Sequence, residues 1–69
     1  MNDFYRMIRA KVEEYAKLDE NKNEDGTVNW CFVDADICLD LNMTKACHDD
    51  YYLPMFSKAV DNYLAGKEY

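Results

Sequence analysis

The sequence has no stretch approaching the roughly 20 apolar residues that a membrane-spanning helix needs. Its first residues, Met1 to Arg6, lack the apolar run of a secretory signal. It also has no internal repeat, no low-complexity tract and no glycine-rich phosphate loop, and Ser57 is its only serine. These absences lead us to expect a cytoplasmic protein that does not enter a membrane and is not an enzyme, with no catalytic residues.

Basic residues are scarce. Eight Lys and Arg face 14 Asp and Glu, which gives a net charge of −6. Contacts with a phosphate backbone rely on Lys and Arg, so direct nucleic-acid binding is not expected, and neither is binding to an anionic membrane. A protein partner with a basic nucleic-acid-binding groove remains compatible with this charge.

The sequence has three cysteines. An odd number is consistent with free thiols in a reducing compartment. The spacing of Cys31, Cys38 and the Cys47–His48 pair matches no common zinc motif. Free cysteines are often buried as small apolar side chains. We therefore expect no metal and no cofactor.

The segment 21–28 is similar to the first half of a calcium-binding EF-hand loop. Asn21, Asn23 and Asp25 have the spacing of the first three ligands, and Gly26 follows. The twelfth position, which should be a bidentate glutamate, is Phe32. A polar turn is the expected structure, and the sequence leaves open whether any cation binds there.

What the sequence does have is the composition of a folded domain, with 49% hydrophobic residues, 14% aromatic residues and six tyrosines. A chain of 69 residues forms one small acidic domain, residues 1–69. A domain of this size buries only about 60% of its unfolded surface, so a partner or a second copy would add burial. A homodimer is therefore one possibility.

Two segments carry clear helical patterns. Residues 2–19 repeat apolar side chains at helical spacing, and residues 53–64 do the same after Pro54, which either kinks a helix or lies in its first turn. Gly66 is suited to the end of the last helix. Between these segments, Thr44 can cap a helix from Lys45 onward.

The segment 28–33 is ambiguous. Val28, Trp30 and Phe32 alternate as in a short strand, although no second strand is evident. Trp30 and Val33 also begin a helical stripe. In the first interpretation, Asp34 caps the following helix and Asn42 ends it in a left-handed conformation. The expected fold is mostly α, a bundle of three to four helices with one short β element near residues 28–33.

Acidic residues are concentrated between residues 34 and 50, where five Asp face one Lys. Such a surface could be complementary to a basic groove, in the manner of a DNA mimic. The adjacent Cys47, His48 and Asp49 do not amount to a catalytic arrangement, because neighbours on a helix point about 100° apart. The candidate partner-binding residues are Asp34, Asp36, Asp40, Asp49, Asp50, Tyr51 and Tyr52.

Residues 25–44 read DGTVNWCFVDADICLDLNMT. This segment resembles the central motif of phage-type antirepressor (Bro-N) domains, a strand, a helix, a turn and a second helix. The matching residues are Trp30, Phe32, Val33, Asp36, Ile37, Cys38, Leu41, Asn42 and Thr44. The resemblance implies a phage regulatory setting. The second helix is acidic here, which disfavours insertion into a DNA groove.

These observations predict a small acidic protein-binding module. We expect a phage or mobile-element accessory protein that inhibits or modulates a host nucleic-acid-handling protein. The alternative is a homodimeric helix-turn-helix transcriptional regulator or antirepressor.

Overall fold

A computed structural model describes residues 3–44 and 47–67. Three α-helices dominate it: α1 (Asp3–Ala16), α2 (Trp30–Leu41) and α3 (Leu53–Leu64). A short 3₁₀ helix, Asp19–Asn21, follows α1, and a π-helical turn, His48–Tyr52, runs directly into α3. The predicted small, mostly α bundle is confirmed, while the described residues contain no β-strand.

The first helix follows its sequence pattern. Tyr5, Ile8, Val12 and Ala16 are buried at spacings of three and four residues, so one face of α1 lies on the core. The opposite face carries charged residues, among them Glu13, which lies near Lys17 and near the buried Arg9 at the edge of the core. An amphipathic helix was predicted here, and its bounds differ by only a few residues.

The loop between α1 and α2 is held by its own side chains. Asp25 Oδ1 accepts hydrogen bonds from the backbone N–H and the hydroxyl group of Thr27, and Asn23 Nδ2 donates to Thr27 Oγ1 at 2.9 Å. Gly26 has φ +89°, a conformation that glycine adopts without steric cost. The polar turn predicted from the sequence is therefore confirmed.

The predicted strand at residues 28–33 is wrong. Only Val28 makes a bridge, with Lys22, and α2 already begins at Trp30. Asn29 caps this helix, because its side-chain oxygen accepts from the backbone N–H groups of Cys31 and Phe32. Asp34 therefore lies inside the helix and does not cap it. A helix satisfies its own backbone groups, which a strand without a partner could not.

At both ends of the segment that follows α2, the structure agrees with the predictions from the sequence. Asn42 ends α2 with φ 47° and ψ 53°, in the left-handed region. Thr44 Oγ1 accepts from the Cys47 N–H at 3.2 Å, as expected of a cap. The first residues of that predicted helix, 45 and 46, lie outside the described part of the chain.

Pro54 lies in the first turn of α3, the second of the two positions considered for it. The π turn that precedes it is closed by a bond from the Leu53 N–H to the His48 carbonyl. Proline has no N–H to offer the residue four positions earlier, and its ring crowds that carbonyl. A wider turn immediately before Pro54 accommodates both effects.

The core lies between the three helices. Its buried apolar side chains come from α1, α2, the π turn and α3, namely Tyr5, Ile8, Val12, Val33, Ile37, Tyr52 and Ala59. The end of α3 is tied to α1 by Arg9, whose Nη2 donates to the Lys67 carbonyl at 2.7 Å. Gly66 has φ +74°, as predicted for the end of the helix. None of the helices in residues 3–44 and 47–67 has the length and apolar character needed to cross a membrane.

Candidate functional site

A cluster of three polar side chains lies where the middle of α2 faces the π turn. Asp34 and Cys38 are one helical turn apart on α2, and His48 comes from the π turn. Asp34 Oδ1 is 3.5 Å from His48 Nε2 and 3.5 Å from Cys38 Sγ. The three potential ligand atoms all lie within 4.8 Å of one another, and all three side chains are half-buried. We call these residues the Asp–Cys–His cluster.

His48 is oriented by contacts on its other sides. Its Nδ1 is 3.1 Å from Asp49 Oδ1. Its ring stacks on Tyr52 with a centroid separation of 5.2 Å, and Tyr52 in turn stacks on Phe56 at 5.4 Å. The imidazole is thus fixed by a carboxylate and an aromatic stack, with Nε2 directed at Asp34.

Tyr52 is the buried neighbour of the cluster. Its side chain is fully buried, and its hydroxyl group faces Asp34 and Cys38. That hydroxyl makes no hydrogen bond of normal geometry with any group in the described residues. Burying a polar group without a partner costs about 1–3 kcal/mol. The site therefore contains an unsatisfied group directed toward the potential ligands.

The cluster shifts the proton affinities of its members. Burial, and then the nearby Asp34 carboxylate, raises the pKa of Cys38 to about 11. The hydrogen bond with Asp49 is the main reason that the pKa of His48 is raised above its usual value. Burial raises the pKa of Tyr52 as well. Without a bound cation the Cys38 thiol is protonated at neutral pH, which does not favour nucleophilic catalysis by a thiolate.

Three of the predicted partner-binding carboxylates contact other parts of the same chain. Asp34 belongs to the Asp–Cys–His cluster. Asp36 Oδ2 accepts from Asn21 Nδ2 at 3.0 Å. Asp40 Oδ2 accepts from Lys11 Nζ at 3.1 Å and from the Tyr15 hydroxyl. These groups join α2 to α1 and to the loop, and do not form one open acidic face.

The remaining predicted contact residues lie on the π turn. Asp49, Asp50 and Tyr51 are exposed, although Asp49 is bonded to His48. Tyr52, also predicted to contact a partner, is instead a core residue with no exposed area. The π turn directs Tyr52 inward onto His48 and Phe56.

A second surface was not identified from the sequence. The outer face of α2 consists of Cys31, Phe32, Ala35 and Leu39, all of them exposed. Phe32 is 52% exposed and Leu39 is 79% exposed. The spacing of these residues places them on one side of the helix, opposite the buried Val33 and Ile37. The signal was available in the sequence, because residues 30–41 have apolar side chains on two opposite sides of a helix, separated by Asp36 and Asp40 on one edge and by Asp34 on the other.

Comparison with known proteins gives no neighbour: no protein-family model, curated protein or solved structure matches this chain. The resemblance of residues 25–44 to Bro-N domains stays a prediction from the sequence.

Proposed function

We propose that this chain is a protein-binding module that recognises a basic, amphipathic helix of another protein through the outer face of α2. The supporting observation is that α2 is apolar on two opposite sides, while the rest of the chain covers only the side carrying Val33 and Ile37.

The exposed apolar residues are costly unless they are covered. An apolar side of a helix is normally buried, whereas α2 leaves Phe32 and Leu39 in contact with solvent. Complete burial of one such side chain contributes about 1.5–3 kcal/mol. Residues 32, 35 and 39 follow the spacing by which one helix packs along another. The geometry therefore suits an incoming helix.

Charge determines which kind of helix fits. At 100° per residue, Asp36 and Asp40 lie along one side of the outer face and Asp34 along the other. The sequence of α2 contains no Lys or Arg. A second copy of the chain, with a net charge of −6, would bring like charges together across this face. A partner helix with apolar residues flanked by Lys or Arg complements it.

Basic surfaces of this kind are typical of proteins that handle nucleic acids. The partner would then be a nucleic-acid-handling host protein, and the resemblance of residues 25–44 to Bro-N domains is the basis for proposing a phage or mobile-element accessory protein that inhibits or modulates it. An apolar stripe bordered by carboxylates supports this interaction better than imitation of a phosphate backbone, because Asp34, Asp36 and Asp40 already have partners within the chain.

The experiment compares two leucines on different surfaces. Leu39→Ser removes the most exposed apolar side chain of the outer face, and Leu64→Ser removes a leucine of α3 that is 66% exposed. Proteins retained from a host lysate by the wild type and lost with Leu39→Ser are identified, purified and titrated by calorimetry. We expect a basic protein whose affinity falls at least tenfold with Leu39→Ser, changes less than twofold with Leu64→Ser and weakens in salt.

Two results would overturn the proposal. Equal affinity of Leu39→Ser and the wild type for the purified partner would exclude the outer face. A dimer in sedimentation experiments without any partner, dissociated by Leu39→Ser, would assign this face to a second copy and favour the homodimeric regulator.

A further inference from the structure

We infer that Asp34, Cys38 and His48 form a binding site for a divalent transition metal, Zn²⁺ being the ion that suits these ligands, with a water molecule as fourth ligand beside the Tyr52 hydroxyl. This inference does not depend on the proposed function.

Two of the three ligand–ligand distances agree with tetrahedral coordination, and the third, between Cys38 Sγ and the His48 ring nitrogen, lies within 4.8 Å. Zinc lies about 2.0–2.2 Å from nitrogen and oxygen ligands and about 2.3 Å from sulfur, so neighbouring ligand atoms in a tetrahedron are about 3.3–3.6 Å apart. Asp34 Oδ1 is 3.5 Å from both His48 Nε2 and Cys38 Sγ. An ion placed between these atoms therefore requires only a small adjustment of the side chains.

The ligand types select the metal. A thiolate and an imidazole are poor ligands for Mg²⁺ and Ca²⁺, which prefer oxygen. A set of one sulfur, one nitrogen and one oxygen suits Zn²⁺ and its spectroscopic substitute Co²⁺. Binding replaces the proton on the Cys38 sulfur by a metal–sulfur bond and releases that proton to solvent, while Asp34 coordinates as the carboxylate it already is.

The surroundings of the cluster support a metal in two independent ways. A carboxylate oxygen only accepts, so a hydrogen bond between His48 Nδ1 and Asp49 Oδ1 requires a proton on Nδ1, and in the neutral imidazole the Nε2 lone pair then faces the cluster. Carboxylates commonly hold metal-binding histidines in this way. Within residues 3–44 and 47–67 the buried Tyr52 hydroxyl faces Asp34 and Cys38 but makes no hydrogen bond of normal geometry, and a metal-bound water would provide one.

The competing description is an ion pair. In that case His48 is protonated on both ring nitrogens and donates hydrogen bonds to Asp34 and Asp49. The cluster then has no affinity for a metal beyond that of exposed acidic groups. Binding of Co²⁺ through a cysteine sulfur distinguishes the two descriptions, because the ion pair gives no thiolate-to-cobalt absorption.

The experiment uses the full chain, treated with a chelator and kept reduced, and titrated with Co²⁺ and then with Zn²⁺. We expect one Co²⁺ per chain, with a thiolate charge-transfer band and the visible bands of a tetrahedral site, displaced stoichiometrically by Zn²⁺. The three cysteines provide matched variants. The double variant Cys31→Ser, Cys47→Ser should keep the band, and Cys38→Ser should lose it.

Asp49→Ala tests the orienting contact, because loss of a partner that orients a metal-binding histidine typically weakens affinity about 10–100-fold. The Co²⁺ band should then persist at higher metal concentration. Absence of a thiolate band in the folded wild type, or a band lost in the Cys31→Ser, Cys47→Ser variant, would overturn the assignment. Circular dichroism of each variant confirms that it is folded.

Discussion

The two helices α1 and α2 each bury one side in the core but differ on the sides that face away from it. The outward side of α1 is mainly charged, with Met7 37% exposed, whereas the outward side of α2 carries Phe32, Ala35 and Leu39. A helix such as α1 needs nothing more than its own domain. The extra apolar face of α2 is explained only by something that covers it, and this is the physical basis of the proposed interaction.

The sharpest test of this comparison uses two apolar residues of α2 that are two positions apart. Ile37 is fully buried and Leu39 is 79% exposed. We expect Ile37→Ala to lower the free energy of unfolding by about 2–5 kcal/mol, through lost burial and the cavity left behind. Leu39→Ala should change it by no more than about 0.5 kcal/mol. Urea denaturation followed by far-ultraviolet circular dichroism measures both.

If Ile37→Ala does not fold, Ile37→Val is the milder substitution, and it should lower the free energy of unfolding by about 0.5–1.5 kcal/mol. If Leu39→Ala lowered the free energy of unfolding as much as Ile37→Ala, the outer face would already be covered in the isolated protein. That result would contradict the proposed difference between the two sides of α2.

A smaller effect is expected at the start of α2. Asn29→Ala removes the side chain that accepts from the Cys31 and Phe32 N–H groups, and should cost about 0.5–2 kcal/mol. Asn29→Asp keeps an oxygen at the same place and is the control. The same denaturation experiment measures both variants. No loss with Asn29→Ala would mean that the helix does not begin at Trp30.

The smallest effect concerns the exposed contact between the two helices, where the Tyr15 hydroxyl donates to Asp40. This bond raises the pKa of Tyr15 from 10.0 to about 12, so its stabilisation is complete below pH 10.0 and is lost as the pH rises toward about 12. The bonds from Tyr15 and Lys11 lower the pKa of Asp40 below 3.8. The stabilisation contributed by the ionised Asp40 is therefore lost as the pH falls below this value.

Tyr15→Phe should therefore flatten the pH dependence of the unfolding free energy at both extremes. The difference between the wild type and Tyr15→Phe isolates this contact from the titration of the lysines. A difference that stays constant from neutral pH to pH 12 would contradict the assigned bond.

The local signals in the sequence identified most of the fold. The stripe of α1, the left-handed Asn42, the Thr44 cap and Gly66 were all predicted correctly. The error at residues 28–33 arose because Val28, Trp30 and Phe32 alternate while residues 30–41 are apolar on two opposite sides of a helix. With no single apolar face to mark the helix, alternation and helical periodicity fit the same residues.

The Asp–Cys–His cluster was predicted only in part. Cys38 and His48 were considered as metal ligands and set aside on spacing, and Asp34 was assigned to a cap. Its position one turn before Cys38 would have suggested a pair of ligands once the segment was recognised as helical. The position of His48 beside Asp34 and Cys38 depends on the turn after Asn42 and on the π turn before Pro54. No local sequence pattern specifies the geometry of these two turns.

The sequence by itself determined the acidic charge, the positions of α1 and α3, the end of α2 at Asn42 and the apolar character of α2, because charge, capping and periodicity are properties of neighbouring residues. Only the tertiary structure decided which side of α2 is buried, which carboxylates are paired, and that His48 meets Asp34 and Cys38. Several sides of α2 are apolar enough to pack, and the choice among them depends on contacts with α1 and α3, which lie far away in the chain.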